Sequence, residues 1–307
     1  MLMNLKIIPV NPYSSEFVAE VECPKLAGDI SNQCFEQIQN ALVSYSVLIF
    51  RNQPLNDFQQ LEFSKKFGKL EKATGDYMKL EERRLPMELN DISNLDKNGD
   101  ILNRLDPKLL FSLGNMLWHS DSSFKKIPAQ YSILSARNIP STKGETEFAD
   151  MRGAWRELDV STKRKCIGLI TEHSQIYSRG ILGFDEFSSD QLAGMKPVPQ
   201  ALVRRHPKTK RLSLYLSSHA GIIRGWSMPE SRLFLIDLNE HATQKHLVYR
   251  HVWEKNDLVI WDNQSTMHRA KSYNIHQIRD LRRTTIAGKI SSIKNMPLNF
   301  EAIEEQF

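Results

Sequence analysis

Short apolar runs separated by polar turns, with few long amphipathic stretches, set the rhythm of this chain. Val47-Leu48-Ile49-Phe50 is a continuous apolar tetrad followed by a polar turn at 51–54, the pattern of a strand buried on both faces. Asn56 followed three residues later by Gln59 is a capping box. Phe58, Leu61 and Phe67 then recur at near-helical spacing until Gly68 ends the segment. A second helix is predicted after Asp150, with Met151, Ala154 and Leu158 on one face. A third has Pro229 in its first turn and carries Leu233, Phe234 and Leu238. Strand-like segments cover 130–136, 211–216, 246–253, 258–261 and 282–288, with Lys255-Asn256-Asp257 as a turn between two of them. Many short strands and a few helices set apart point to an antiparallel barrel or sandwich buttressed by helices.

The stretch 71–115 breaks the rhythm: it is charged, poorly periodic and long, which is how lids and substrate-binding loops read. No repeat, low-complexity tract or linker divides the rest, so residues 1–307 are expected to form a single domain. Composition works mainly by exclusion. A chain that is 40% hydrophobic and 25% charged has an ordinary globular balance, with a core large enough to enclose a cavity. No apolar run reaches the roughly 20 residues of a membrane span. Asn4 and Lys6 interrupt the start, which lacks the apolar centre of a secretion signal. Cys23, Cys34 and Cys166 are odd in number and without Cys-x-x-Cys spacing, so neither a disulfide framework nor a zinc ribbon is indicated. A cytoplasmic protein is expected, in which the Asn263-Gln264-Ser265 sequon has no meaning as a glycosylation site. The net charge of +5 is spread along the chain, and Lys163-Arg164-Lys165 reads as a solvated helix face. That spread argues against nucleic acid and suits the gathering of small anions.

Candidate chemistry begins at Trp118-His119-Ser120-Asp121. On a strand, residues two apart share a face, which would set the His119 imidazole beside the Asp121 carboxylate. A distant second histidine would complete the two-His, one-carboxylate triad that holds Fe(II). With nine histidines present, a His-x-Asp also arises by chance, and local hydrogen bonding is the plain alternative. Further on, residues 258–261 lead into Asp262-Asn263 and then His268, with Arg279 eleven residues later and Arg283 four beyond that. On a strand Arg279, Leu281 and Arg283 share a face; two guanidinium groups turned inward need anions, whereas an edge strand would leave them solvated. His241, His246 and His251, five apart, do not stack on a helical face, and no His-Glu-x-x-His occurs. They read as solvated or core histidines.

Taken in order, Trp-His-x-Asp at 118–121, Gly-x-Thr-x-Phe at 144–148, Trp261-Asp262-Asn263, and His268 with arginines at eleven and fifteen resemble the taurine/2,4-dichlorophenoxyacetate dioxygenase family. The resemblance runs from about Val47 to Gly288, and the wording of 117–124 and 146–152 is closer to the phenoxyacetate branch. It implies a mostly β fold with flanking helices around a double-stranded β-helix, or jelly-roll, core. It further implies Fe(II) on His119, Asp121 and His268, and 2-oxoglutarate gripped by Arg279 with help from Thr146. Arg283 would anchor the substrate's anionic group, with Asn115 and His219 also facing the substrate. The implied reaction consumes 2-oxoglutarate and O₂, releases succinate and CO₂, and hydroxylates a small carboxylate-bearing substrate, with ascorbate supportive in vitro. On an aryloxy- or alkoxyacetate the product is a hemiacetal that collapses, cleaving the ether. The taurine branch has His-x-His-Pro after a Phe-Gly like Phe67-Gly68; here Leu70-Glu71-Lys72-Ala73 follows, which speaks against taurine. A sulfonate, an alkyl sulfate or a natural-product acid remains an alternative within the class, and a zinc metallohydrolase is the alternative outside it. No nucleic-acid or membrane partner is expected. Homo-oligomers are common in the family, and no residue here decides the point.

Overall fold

In the computed structural model, which describes residues 5–73 and 83–300, the apolar tetrad Val47–Phe50 is a strand with a separate core on each face. Leu48 and Phe50 pack with Ile133, Leu258, Ile260 and Ile286 beneath the helices Asn32–Tyr45 and Asp57–Lys65. Val47 and Ile49 pack with Leu134, Val259, Trp261 and Leu281 on the opposite side. Period-two alternation between two buried faces explains why no polar position interrupts the run.

The strands in chain order begin with β1 (Lys6–Pro9), β2 (Val18–Glu22), β3 (Val47–Phe50), β4 (Asn90–Ser93) and β5 (Ala129–Asn138). Next come β6 (Thr146–Asp150), β7 (Ile170–His173), β8 (Val198–Ala201), β9 (Val203–Arg205) and β10 (Leu212–Leu214). The last are β11 (Ala220–Ile223), β12 (Val248–His251), β13 (Leu258–Asp262), β14 (Thr266–Ala270) and β15 (Asp280–Ala287). Seven form one sheet in the order β1-β2-β3-β13-β5-β15-β4, antiparallel except between β2 and β3. A second sheet, β12-β6-β14, meets it through Phe148, and β11-β7-β8 and β9-β10 are further antiparallel groups. Outside the second sheet, the helices Met151–Glu157 and Met228–Ala242 close a third core with Trp155, Phe234, Leu235 and Leu238. The fold is the jelly roll, mostly β with flanking helices.

Several local expectations change. Residues 118–121 are not a regular strand: His119 alone forms an isolated bridge, to His268, and Asp121 opens a turn in which Ser122 has φ 54°. The predicted strand 246–253 splits into a short 3-10 turn, Lys245–Leu247, and β12. The turn at Asn256 (φ 69°) joins strands of different sheets. Phe58 is 70% exposed and Leu233 64%, because their helices turn other faces inward. The first buries Gln60 and Ser64, whose polar atoms bond the Ile133 and Arg282 carbonyls and the Thr284 hydroxyl. Lys163, Arg164 and Lys165 do not merely face solvent; they lie over the rings of Trp155, Phe300 and Phe234 respectively. Of the expected lid 71–115, residues 74–82 lie outside the described residues. The remainder supplies β4 to the edge of the large sheet, the helix Pro107–Ser112 and a 3-10 turn at Leu113–Met116.

Candidate metal and co-substrate site

Residues 119 and 268 are brought together by the backbone before their side chains are considered. Each N–H donates to the other's carbonyl, at 3.0 and 2.8 Å, which sets the two imidazoles 4.2 Å apart between ring centroids. The turn after Ser120 folds Asp121 back over them. Its Oδ1 lies 3.8 Å from His119 Nε2 and its Oδ2 3.7 Å from His268 Nε2. One ligand atom from each of the three residues falls within 4.8 Å of the others, and all three side chains are buried. The sequence expectation that these three converge is met.

Their protonation suits a cation. The His119 Nδ1–H donates to the Leu117 carbonyl at 2.7 Å, which leaves the Nε2 lone pair turned toward the other two. Burial holds both imidazoles below their ordinary pKa, against the pull of Asp121, so both are neutral near pH 7. Burial works to raise the Asp121 carboxyl, but Arg283, His268, His119 and the Ser132 hydroxyl outweigh it and hold it well below the carboxylate range. Two neutral nitrogens and one ionised oxygen at this spacing fit a divalent metal.

Arg279 lies just before the bulge that opens β15, and Arg283 lies within the strand; both line the space beside the triad. Arg283 Nη1 is 2.6 Å from Asp121 Oδ1. Arg279 has no carboxylate partner among the described residues. One amino group donates to the Ile92 carbonyl at 3.3 Å, Nε is unsatisfied, and burial lowers its pKa with only Tyr273 opposing. A buried guanidinium in this condition calls for an anion. Thr146 lines the same small cavity, and its Oγ1 accepts a bond from Trp253 Nε1 at 3.0 Å, so its own hydrogen is free to donate.

Asn115, on the 3-10 turn, faces both this space and a larger cavity of about 1010 Å³ that also takes in His219. That volume is ample for a small organic acid, since ligand pockets run to roughly 1,000 Å³. His219 is buried 6.2 Å from His119 and 4.9 Å from Phe124, ring to ring, and burial keeps it neutral. Phe111, Phe124 and Phe184 contribute apolar wall. His241, His246 and His251 are spoken for by the Ala154 carbonyl, Glu157 and Asp257, as a non-ligand reading requires.

Sequence reasoning missed four contributors. Arg179 lines the large cavity with its guanidinium 3.9 Å over the Phe111 ring. It reaches there because residue 114 is glycine: a Cβ at Gly114 would stand 1.9 Å from Arg179 Nη1. Glu71 accepts from both Ser122 and Lys125 at 2.6 Å at the cavity edge. Ser132 and Asn263, buried behind Asp121, are bonded to it, and Asn263 belongs to the Trp-Asp-Asn triplet whose third residue had been given no role.

Two layers of antiparallel strands wrapped around a triad of this kind define a class, the jelly-roll dioxygenases that work with Fe(II), 2-oxoglutarate and O₂. Comparison with known proteins is narrower: the Taurine catabolism dioxygenase TauD, TfdA family matches residues 8–285, and the chain belongs to that family. It is 40% identical over 276 residues to the alpha-ketoglutarate-dependent 2,4-dichlorophenoxyacetate dioxygenase of Burkholderia sp. (strain RASC), covering 89% of this chain and 92% of the relative. It is 33% identical over 291 residues to the (S)-phenoxypropionate/alpha-ketoglutarate-dioxygenase of Sphingobium herbicidovorans, covering 92% and 96%. The crystal structure of AAD-2 in complex with Mn(II) and N-oxalylglycine matches with a TM-score of 0.90 at 47% identity, over 94% of this chain and 100% of that one.

Proposed function

We propose that this dioxygenase hydroxylates a small carboxylate-bearing ether, an aryloxy- or alkoxyacetate, at the carbon between the ether oxygen and the acid. The observation that carries the proposal is a cavity with two inward guanidinium groups, those of Arg279 and Arg283, beside one triad; in this reading Arg279 serves the co-substrate and Arg283 the substrate. The names of two relatives, which act on aryloxy acids, support the choice of ether.

In this reading His119, Asp121 and His268 hold Fe(II). When bound, the metal supplies the redox chemistry that couples decarboxylation of 2-oxoglutarate by O₂ to hydroxylation of a C–H bond. Arg279 meets the distal carboxylate of 2-oxoglutarate with a planar fork, and the Thr146 hydroxyl donates to the same group. Arg283 holds the substrate carboxylate close to the triad, which aims the adjacent carbon inward. Asn115 and His219 border the substrate, His219 as a neutral ring, and the phenylalanine walls receive its apolar end. The hemiacetal formed collapses to an alcohol or phenol and glyoxylate, while one oxygen atom of O₂ leaves in succinate.

The test is succinate release from a panel of aryloxyacids, sulfonates and alkyl sulfates under Fe(II) and ascorbate. Turnover concentrated on the aryloxyacids is expected, with the matching phenol appearing in equal amount. Turnover confined to the sulfonates or sulfates would refute the ether assignment while leaving the class intact.

A further inference from the structure

Asp121 is gripped from behind by a chain of hydrogen bonds whose direction is fixed. The Asn263 side chain is fully buried, and its Oδ1 accepts from the Asp121 backbone N–H at 3.1 Å and from Trp261 Nε1 at 3.0 Å. Both of those groups can only donate, so the amide must present its oxygen to them and its nitrogen to the other side. There Asn263 Nδ2 lies 2.9 Å from Ser132 Oγ and donates to it. The serine hydroxyl has one hydrogen, and it points to Asp121 Oδ2, 2.6 Å away. Register supports the placement, because Ser132 on β5 sits opposite Trp261 on β13 and Thr285 on β15. The Asn263 backbone N–H is pinned in turn to the Gln130 carbonyl at 2.9 Å.

We infer that Asn263 and Ser132 are positioning residues which lock the orientation of the Asp121 carboxylate toward the metal. The inference rests on the proposal that Asp121 is a ligand, and it adds a device that the triad itself does not contain. A single asparagine holds the ligand residue at two points, directly at its backbone and through Ser132 at its side chain. The short bond to Oδ2 is charge-assisted, so rotating the carboxylate means breaking one of the stronger hydrogen bonds available to it. Trp261, at the far end, turns the relay into a rigid part of the large sheet. Outer partners of this kind matter to metal sites because a ligand that must be ordered on binding gives up affinity.

The experiment is a titration of the metal-free protein with Co(II), following both affinity and the visible d–d spectrum, without 2-oxoglutarate or turnover. Ser132→Ala should weaken Co(II) binding about ten- to a hundredfold and alter the spectrum. Ser132→Thr, which keeps the hydroxyl, should restore both. In a double-mutant cycle, Asn263→Ala should cost less affinity on the Ser132→Ala background than alone, since the path through Ser132 is then already gone and only the bond to the Asp121 backbone N–H remains to be lost. If alanine at 132 prevents folding, judged by melting of the metal-free chain, the isosteric and weaker donor of Ser132→Cys should still weaken binding. Wild-type affinity and spectrum in Ser132→Ala or Ser132→Cys would overturn the relay, and so would a loss that threonine fails to repair. Failure of the wild type to bind Co(II), or unchanged binding in Asp121→Ala, would instead overturn the metal assignment and this inference with it.

Discussion

At the scale of single residues the two arginines behave differently, and the difference is measurable. Arg279 is 4% exposed without a carboxylate partner among the described residues, whereas Arg283 is 2.6 Å from Asp121. Replacing Arg279 with methionine should raise the Kd for 2-oxoglutarate at least about tenfold, since bonds to a charged group contribute about 1.5–3 kcal/mol. The same change should leave the melting temperature of the ligand-free protein equal or higher, because a buried charge without a counter-ion is a burden on the fold. A marked drop in melting temperature would show that Arg279 serves structure first. Arg283→Gln should raise the KM of an anionic substrate while 2-oxoglutarate KM stays within about twofold; equal effects on both would remove its distinct role. These arginines and the triad were named from the sequence through the order of several motifs that together resemble a family, since His-x-Asp arises by chance and an arginine pair on a strand can be solvated. Ser132 was not, since a serine within an apolar strand shows no partner until β13 and β15 are laid beside it. Nor was Arg179, whose place depends on the missing side chain of Gly114, 65 residues earlier.

At the scale of elements, strands were easier to read than helix faces. A strand buried on both faces reads as an unbroken apolar run, as Val47–Phe50 does and as 258–261 does before Asp262. The helix Asp57–Lys65 misleads because Phe63 shares its inward face with two polar residues, Gln60 and Ser64: Gln60 donates to the carbonyls of Ile133 and Arg282 while its Oε1 accepts from Arg137. Apolar periodicity cannot reveal a face that is buried by hydrogen bonding. Phe58→Ala, at a 70% exposed site, should therefore change stability by no more than about 0.5 kcal/mol. Gln60→Ala strips partners from buried polar groups and should destabilise by about 1–3 kcal/mol. Urea unfolding of the two variants checks the ranking, and a larger loss from Phe58→Ala would contradict the orientation of this helix. The bridge at His119 is the other lesson: one pair of backbone bonds, not a strand around His119, aligns the two histidines of the triad, and the partner stands 149 residues away.

At the scale of the whole molecule, the order of strands in the large sheet was beyond the reach of pattern, since β13 lies between β3 and β5 and β15 between β5 and β4. The same layering buries an unusual number of neutral histidines, and this gives the fold a direction in pH. Burial depresses His119, His173, His219, His251 and His268 below their ordinary value, His173 to about 3. The unfolded chain takes up protons at these positions near pH 6.5, whereas the folded chain resists, so acid favours unfolding. Stability should be full above about pH 7 and decline as pH falls from 6.5 toward 3. Asp280, held near 2 despite burial by Arg84 and Arg282, extends the decline below the ordinary carboxylate range. For His173 the contribution to the slope is at most about 1.4 kcal/mol per pH unit, one proton's worth. His173 has no part in the proposed chemistry; its Nε2 is 2.8 Å from Thr171 Oγ1 and its ring stacks on Tyr215 at 5.7 Å. Phenylalanine can replace that stacking ring without a titrating group. Urea midpoints of the metal-free protein between pH 8 and 5 should therefore fall more gently in His173→Phe than in the wild type, whatever the variant's stability at pH 8. Parallel profiles would mean that His173 is protonated in the folded state as readily as in the unfolded chain, against its complete burial.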